Sequence, residues 1–499
     1  MEELRAEARD APWRAPLDFD GVDALDVLLS PIYLAVLGAT RAPGTGRSHQ
    51  PNRTLDRLRN WAYQKKVAYR QRTAAQQSAP AGPTDILFWS RDVTHTDIMQ
   101  PVASAATRLG STCRLLACQP NIFDTLRRVA KDPVYTLGAW GPLARAARIE
   151  GAKRADQFAE SSAWELASSP TGSVPPRITT AVRDAVVAYL PLAAESIANA
   201  RAALDAFRPG VLVVGNDLTT EGRAGCRVAA ANSVPTAMFT HGSVNGDPLE
   251  AMHCADRILL YGDRQRRTLS QLGIADERMT VCGAPHLDNL PKQTGRTHPQ
   301  LKEKLSLADG SPWVLVATSG PGNRISAAHH QIMIGHLVEL ARALPEVPIV
   351  VKLHRKDRLD YYRQALVDCS PGRMHVVPAD TVGYPASIFD WLQGCRAVLT
   401  GASAVAVEAL LMDVPAITMD FCDEIHDVGF IDAGATAHVS NGRSLLEEVR
   451  DAAHGDGPSA ELRARITAYL KDAFCALDGH SSERGAETLR QMFQERHAG

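Results

Sequence analysis

The chain predicts an α/β protein built from two doubly wound, Rossmann-like parallel sheets, and three observations predict it. First, short runs such as Ile86-Leu87-Phe88-Trp89, Val211-Leu212-Val213-Val214 and Ile258-Leu259-Leu260-Tyr261 are apolar throughout. Strands buried on both faces read this way. Second, such runs end in small or polar residues and lead into segments with helical spacing, which is the alternation of a parallel sheet. Third, the pattern lapses over Leu287 to Pro312, rich in Pro, Gly, Thr and Lys, and restarts at Trp313. At 499 residues the chain is long for a single core.

Composition narrows the function classes. A net charge of -2 provides no overall field to recruit nucleic acid or membrane. The nine Cys are scattered and no C-x-x-C occurs, which argues against a disulfide framework or structural zinc and fits a reducing, cytoplasmic setting. The N-terminus, MEELRAEARD, is charged and does not read as a signal peptide. The longest apolar run, Val27 to Ala39, is interrupted by Pro31 and is too short to span a bilayer.

Residues 1–80 read as a helical extension, with a helix over Leu25 to Leu37 broken near Pro31. Within it, 47–72 is basic and carries Trp61, Tyr63 and Tyr69. It reads either as a solvated helix packed by its aromatic residues or as a peripheral contact with anionic lipid at the inner membrane face. The first sheet domain spans 81–290, with a mostly helical insertion at about 122–207. A linker follows at 291–312, then the second sheet domain at 313–458. Helices at 459–499 are expected to pack back on the first domain.

Ligands of such sheets bind beyond the carboxyl ends of the strands. In the second domain, Ser319-Gly320-Pro321-Gly322 follows the first strand, and a loop there cradles phosphate with backbone N–H groups. The stretch Leu399 to Phe421 holds Gly401 for a sharp turn, Ser403 as a helix N-cap and Glu408 one turn further on, suited to ligand hydroxyls. Lys352 and His354 add cationic donors. Together they describe a diphosphate site. In the first domain His241 ends a strand and is followed by glycine, placing an imidazole where a proton is taken or a leaving phosphate stabilised. Asp92 joins His241 and His354 as a catalytic candidate, and Arg91, His95 and Asp217 sit where an acceptor would be met. Each of these residues also has a plain reading, as a turn former or a local backbone cap. His329 and His330 read as a polar helix end. No H-E-x-x-H, G-x-S-x-G or Walker A pattern occurs, so no metal site and no cofactor are expected.

Several of these motifs, in order, carry a resemblance. Thr240-His241-Gly242, Ala255-Asp256 to Gly262, Gly283-Ala284-Pro285 with Asp288, Lys352-Leu353-His354, Gly401-Ala402-Ser403 to Glu408, and Asp478-Gly479 through Arg484 resemble the GT-B glycosyltransferase-like proteins of bacterial surface polysaccharide assembly. That group includes capsule glycosyltransferases and CDP-glycerol glycerophosphotransferases. The resemblance implies a nucleotide-activated donor in the second domain and a glycan or small hydroxyl acceptor in the first. It also implies that His241 and His354 are essential. Arg355 stands where the phosphotransferase pattern has Pro, and Ala402-Ser403 where it has Ser-Ser, which tilts the expectation toward sugar transfer. Three alternatives remain: glycerophosphate transfer, a nucleotide-sugar 2-epimerase of the same fold, and a non-catalytic binding protein. The epimerases need carboxylates facing the sugar from the first domain, for which Asp92, Asp97 and Asp217 are on offer.

Overall fold

The computed structural model describes residues 12–40, 82–118, 120–129, 134–136, 141–160, 176–242, 244, 246–290, 296–307, 311–322, 325–379, 381–385, 387–425, 428–455 and 457–498. The basic segment 47–72 lies outside the described residues. The chain divides into two compact units, 1–288 with 474–499, and 289–473.

The first unit opens with a small hairpin, β1 (Asp18–Phe19) against β2 (Val22–Asp23). Helices Ala24–Val27 and Leu29–Thr40 follow, so the break falls at Leu28 rather than at Pro31. Pro31 is tolerated because it lies in the first turn of the second helix, where its missing N–H has no helical partner to lose. This segment is not an appendage. Leu17, Phe19, Val27, Leu28 and Ile32 belong to the same buried cluster as Phe207 and Leu212.

A seven-stranded sheet follows: β3 (Ile86–Ser90), β4 (Cys113–Ala117), β5 (Val134–Thr136), β6 (Val211–Val214), β7 (Thr236–Phe239), β8 (Arg257–Leu260) and β9 (Met279–Val281), in the order β5-β4-β3-β6-β7-β8-β9. Every pairing in it is parallel. The insertion expected at 122–207 also supplies the edge strand β5, three residues too short to stand out in the sequence. Its long helices, Gly141–Glu160 and Pro176–Phe207, pack against one another in this unit.

The second unit carries β10 (Val314–Ala317), β11 (Ile349–Lys352), β12 (Met374–Val377), β13 (Ala397–Thr400), β14 (Ala416–Met419) and β15 (Ala437–Val439), ordered β12-β11-β10-β13-β14-β15, again all parallel. Trp313 and Trp391 are fully buried in it. Their indole N–H groups donate to Thr297 Oγ1 (3.2 Å) and the Pro385 carbonyl (2.9 Å), so neither leaves a polar atom stranded.

In both sheets strand order reverses beside the first strand, at β3/β6 in one and β10/β13 in the other. Crossovers leave in opposite directions there and part the loops, so each unit has an open crevice at its own switch point. Of the C-terminal helices, Ala460–Ala473 stays with the second unit and only Ser481–Ala498 belongs to the first. Asp288 caps that last helix by accepting from Ser481 N (2.9 Å) and Ser482 N (2.7 Å), and Arg484 Nε donates to the Cys282 carbonyl (2.8 Å). Two motifs almost 200 residues apart therefore meet as a structural clasp.

Candidate active site

In the first unit, the loop after β3 and the loops after β6 and β7 bring three imidazoles together. Asp92 is the N-cap of helix Val93–Arg108 and its Oδ1 accepts from His95 N (3.0 Å). That places His95 on the first turn, 1% exposed, with Nε2 3.6 Å from Asp92 Oδ2. Gly215, at the end of β6, has no side chain because a Cβ would run into the His95 ring. The ring in turn stands edge-on to His241, centroids 4.8 Å apart. Neither His95 ring nitrogen has a hydrogen-bond partner among the described residues. Burial drives its pKa down to about 4, outweighing the pull of Asp92, while His241 and Arg91 add to the depression. His95 is a neutral floor for the site.

His241 extends from β7 and keeps part of its ring open. Its Nε2 lies 3.4 Å from the Asn216 amide nitrogen. Partial burial lowers its pKa below the usual histidine value; Asp92 opposes the shift and His253 reinforces it. The loop is braced by Gln265, whose Oε1 accepts from Thr240 Oγ1 and Tyr261 N and whose Nε2 donates to the Gly242 carbonyl, all at 2.8 Å. A cavity of about 220 Å³ opens here, lined by Asn216, Thr240, His241, Asp247, Glu250 and His253 among others. Glu250 Oε2 accepts from Gly246 N (2.9 Å), and Asp247 Oδ1 from Leu249 N (2.8 Å).

In the second unit the three predicted loops gather at the β10/β11/β13 ends. Gly320 adopts φ +71°, and a Cβ there would come within 3.0 Å of Asp357 Cα, so this position requires glycine. Gly322 (φ +80°) closes the turn by donating to the Ile325 carbonyl (2.9 Å). Ser319 is half-buried beside them. His354 N donates to Thr318 Oγ1 (3.0 Å), while His354 Nδ1 accepts from Lys356 N (3.1 Å). His354 thus caps local backbone and keeps Nε2–H as an exposed donor; burial and then Lys356, Lys352 and Arg355 lower its pKa, so the ring is neutral. Ser403 caps helix Ala404–Leu411 by accepting from Val405 N (3.3 Å). Burial raises the Glu408 carboxyl to about 7 against the opposing pull of Lys352. The Lys352 ammonium lies 5.6 Å from the centre of the Trp391 ring. Beneath these loops Asp357 accepts from Tyr362 OH (2.9 Å) and lies 3.4 Å from His330 Nε2.

Four expectations change. Asp217 faces no ligand: it is fully buried, and its carboxylate is taken up by His253 Nδ1 (2.5 Å), Cys254 N (2.5 Å) and Ala255 N (2.8 Å). Arg91 is engaged within the protein by an ion pair with Glu221 at 3.4 Å. Gly401 does not use the left-handed region, and a Cβ there would make an ordinary 3.4 Å contact with Ile425, so no sharp turn depends on it. His329 and His330 are buried, not a polar helix end: His329 Nε2 accepts from Phe421 N (3.2 Å) and its Nδ1 faces Glu424 (3.3 Å). Sequence reading missed Glu250, Asp247, His253 and Gln265. The sequence sign of the first two was an acidic turn, Asp247-Pro248-Leu249-Glu250, shortly after a strand end.

The fold has known counterparts. A structure from Listeria monocytogenes assigned to UDP-N-acetylglucosamine 2-epimerase is 14% identical, with TM-score 0.56, 84% of this chain and 98% of that chain covered. The UDP-GlcNAc 2-epimerase of Methanocaldococcus jannaschii is 15% identical at TM-score 0.54, with 81% and 99% covered. That of Neisseria meningitidis, solved bound to UDP-GlcNAc, is 16% identical at TM-score 0.51, with 81% and 99% covered. At such identities these neighbours establish the two-domain, GT-B-like Rossmann fold and nothing finer. No curated protein matches the chain. A family model, UDP-N-acetylglucosamine 2-epimerase, matches residues 183–469, more than half of the sequence. That match overturns the expected glycosyltransferase, and with it the assignment of Arg91, His95 and Asp217 to an acceptor. It points instead to the epimerase alternative. By this match the chain belongs to the UDP-N-acetylglucosamine 2-epimerase family.

Proposed function

We propose that this protein inverts C-2 of a UDP-linked N-acetylhexosamine, with His241 as the base. The observation that carries the reading is the cavity at the β6 and β7 ends, where a neutral imidazole sits with Glu250, Asp247 and Asn216. The sugar C-2 proton adjoins no carbonyl and is not acidic in the free nucleotide sugar. Departure of UDP from C-1 changes that. The base takes the C-2 proton, the C–H electron pair becomes a C1=C2 double bond, and the C-1–oxygen pair leaves on the β-phosphate. Re-addition of UDP to C-1 with a proton delivered to the other face of C-2 yields the epimer. The sequence of steps is redox-neutral.

The chain's residues suit these roles. A pKa below the ordinary imidazole value keeps His241 unprotonated near neutral pH and ready to accept a proton. The Glu250 carboxylate, which lines the cavity, takes the role for which the sequence offered Asp92, Asp97 and Asp217. In the second unit, taken by itself, the N–H groups around Gly320 and Ser403, the Lys352 ammonium and His354 Nε2–H suit a nucleoside diphosphate. Glu408 fits the ribose hydroxyls. The test needs no acceptor: purified protein is incubated with UDP-GlcNAc alone and the products are followed by NMR. The expected result is an equilibrium mixture of the two C-2 epimers. Nucleotide release that depends on an added acceptor, with no epimer formed, would contradict the reading.

A further inference from the structure

Inversion at a carbon needs one group that removes a proton and a second that delivers one. The cavity holds a second imidazole beside His241, and its setting differs. His253 follows the short helix Pro248–Met252 and lines the same cavity as His241 and Glu250. Its Nδ1 donates to Asp217 Oδ1 at 2.5 Å, and Nε2 has no partner among the described residues. Asp217 is fully buried at the end of β6. Burial alone would raise its pKa, but the His253 ring and the N–H groups of Ala255 and Cys254 outweigh that and hold it at about 2, so it is ionised.

The backbone around His253 is also pinned. Arg278 Nη2 donates to the carbonyls of His253 (2.9 Å) and Ala255 (2.7 Å), and Arg223 Nη1 to that of Met252 (2.5 Å). A ring fixed in tautomer by a buried carboxylate, with its other nitrogen unspent, is the arrangement in which an imidazole carries a proton to a defined point.

We infer that His253 is the second proton-carrying group of this cavity and that Asp217 is its positioning residue. The inference rests on the C-2 epimerase reading. In one direction His241 takes the C-2 proton while UDP leaves C-1. The imidazolium of His253 then gives its Nε2 proton to C-2 of the unsaturated sugar as UDP re-adds to C-1. The two rings end with their protonation states exchanged and reset through solvent. In the reverse direction their roles swap. Asp217 keeps its charge throughout and stabilises the imidazolium.

The test separates two events in D2O with the full chain: deuterium entering C-2 of recovered UDP-GlcNAc, and inversion. Wild type is expected to do both. His253→Gln is expected to lose inversion by about 100-fold or more while the remaining base still exchanges the C-2 proton of one epimer, with UDP affinity unchanged. Asp217→Asn should slow inversion without altering UDP affinity. Exchange and inversion that fall together in His253→Gln, or that both persist at the wild-type rate, would overturn the assignment. If that variant proves unstable, 15N-histidine NMR of the wild type decides. A His253 Nε2 signal that shifts on adding UDP-GlcNAc supports the role, and one that stays fixed opposes it. A wild type that neither exchanges nor inverts removes the epimerase reading itself, and this inference with it.

Discussion

The two units share one topology and differ in what they place at its switch point. Both have an all-parallel sheet whose order reverses beside its first strand. In the first unit the loops there present three imidazoles, His95, His241 and His253. In the second they present Gly320, Gly322, the Ser403 cap and Lys352. On the proposed function, the shared topology sets where a ligand would be met, and the strand-end residues set whether that place moves protons or holds a phosphate.

Substitutions that damage one unit's role and spare the other test this division. The largest effect is expected at His241. His241→Gln should lower turnover by about 10³-fold while UDP affinity, measured by calorimetry, stays within a factor of two or so. A parallel loss of both would merge the two roles. Gly320→Ala should do the reverse. Forcing a side chain into φ +71° against the Asp357 backbone costs about 1–3 kcal/mol, and UDP affinity should fall by roughly tenfold or more.

Smaller effects come from titration. His95 has a folded pKa of about 4, below its unfolded value. The unfolded chain binds its proton first, so stability is full above about pH 6.5 and declines as pH falls toward 4. Thermal melts over that range should show the decline, and His95→Asn should flatten it. Glu408 runs the other way: its folded pKa, about 7, lies above the unfolded value. Its contribution is favourable below about pH 4.5 and lost as pH rises toward 7. Glu408→Gln should therefore raise stability at pH 8 by on the order of 1 kcal/mol, yet weaken UDP binding. A variant that is both more stable and equally tight for UDP would return Glu408 to a structural role.

The second unit's candidate groups were the more legible of the two sets in the sequence. Its groups sit at strand ends or on the first turns of helices, positions that hydrophobic runs and capping residues mark locally. Ser403 and Gly320 needed no partner from elsewhere to be recognised. The first unit's site is assembled from residues 92 to 253, and no local pattern records that Gly215 is small because His95 needs the space. Asp217 shows the cost of reading position alone. It follows a strand end, as an active-site residue does, but three donors from residues 253–255 draw its carboxylate inward. The reaction class was misread for a related reason: the match that corrects it extends over residues 183–469 and is not carried by any one short motif.

The most direct measurement is the 1H NMR spectrum of UDP-GlcNAc incubated with the wild-type protein in D2O, with no acceptor and no added cofactor. The account predicts that the C-2 proton signal disappears as the epimer grows in, each molecule of epimer carrying one deuterium at C-2. Retention of the C-2 proton in both epimers, or an unchanged spectrum in the presence of protein that binds UDP, would contradict it.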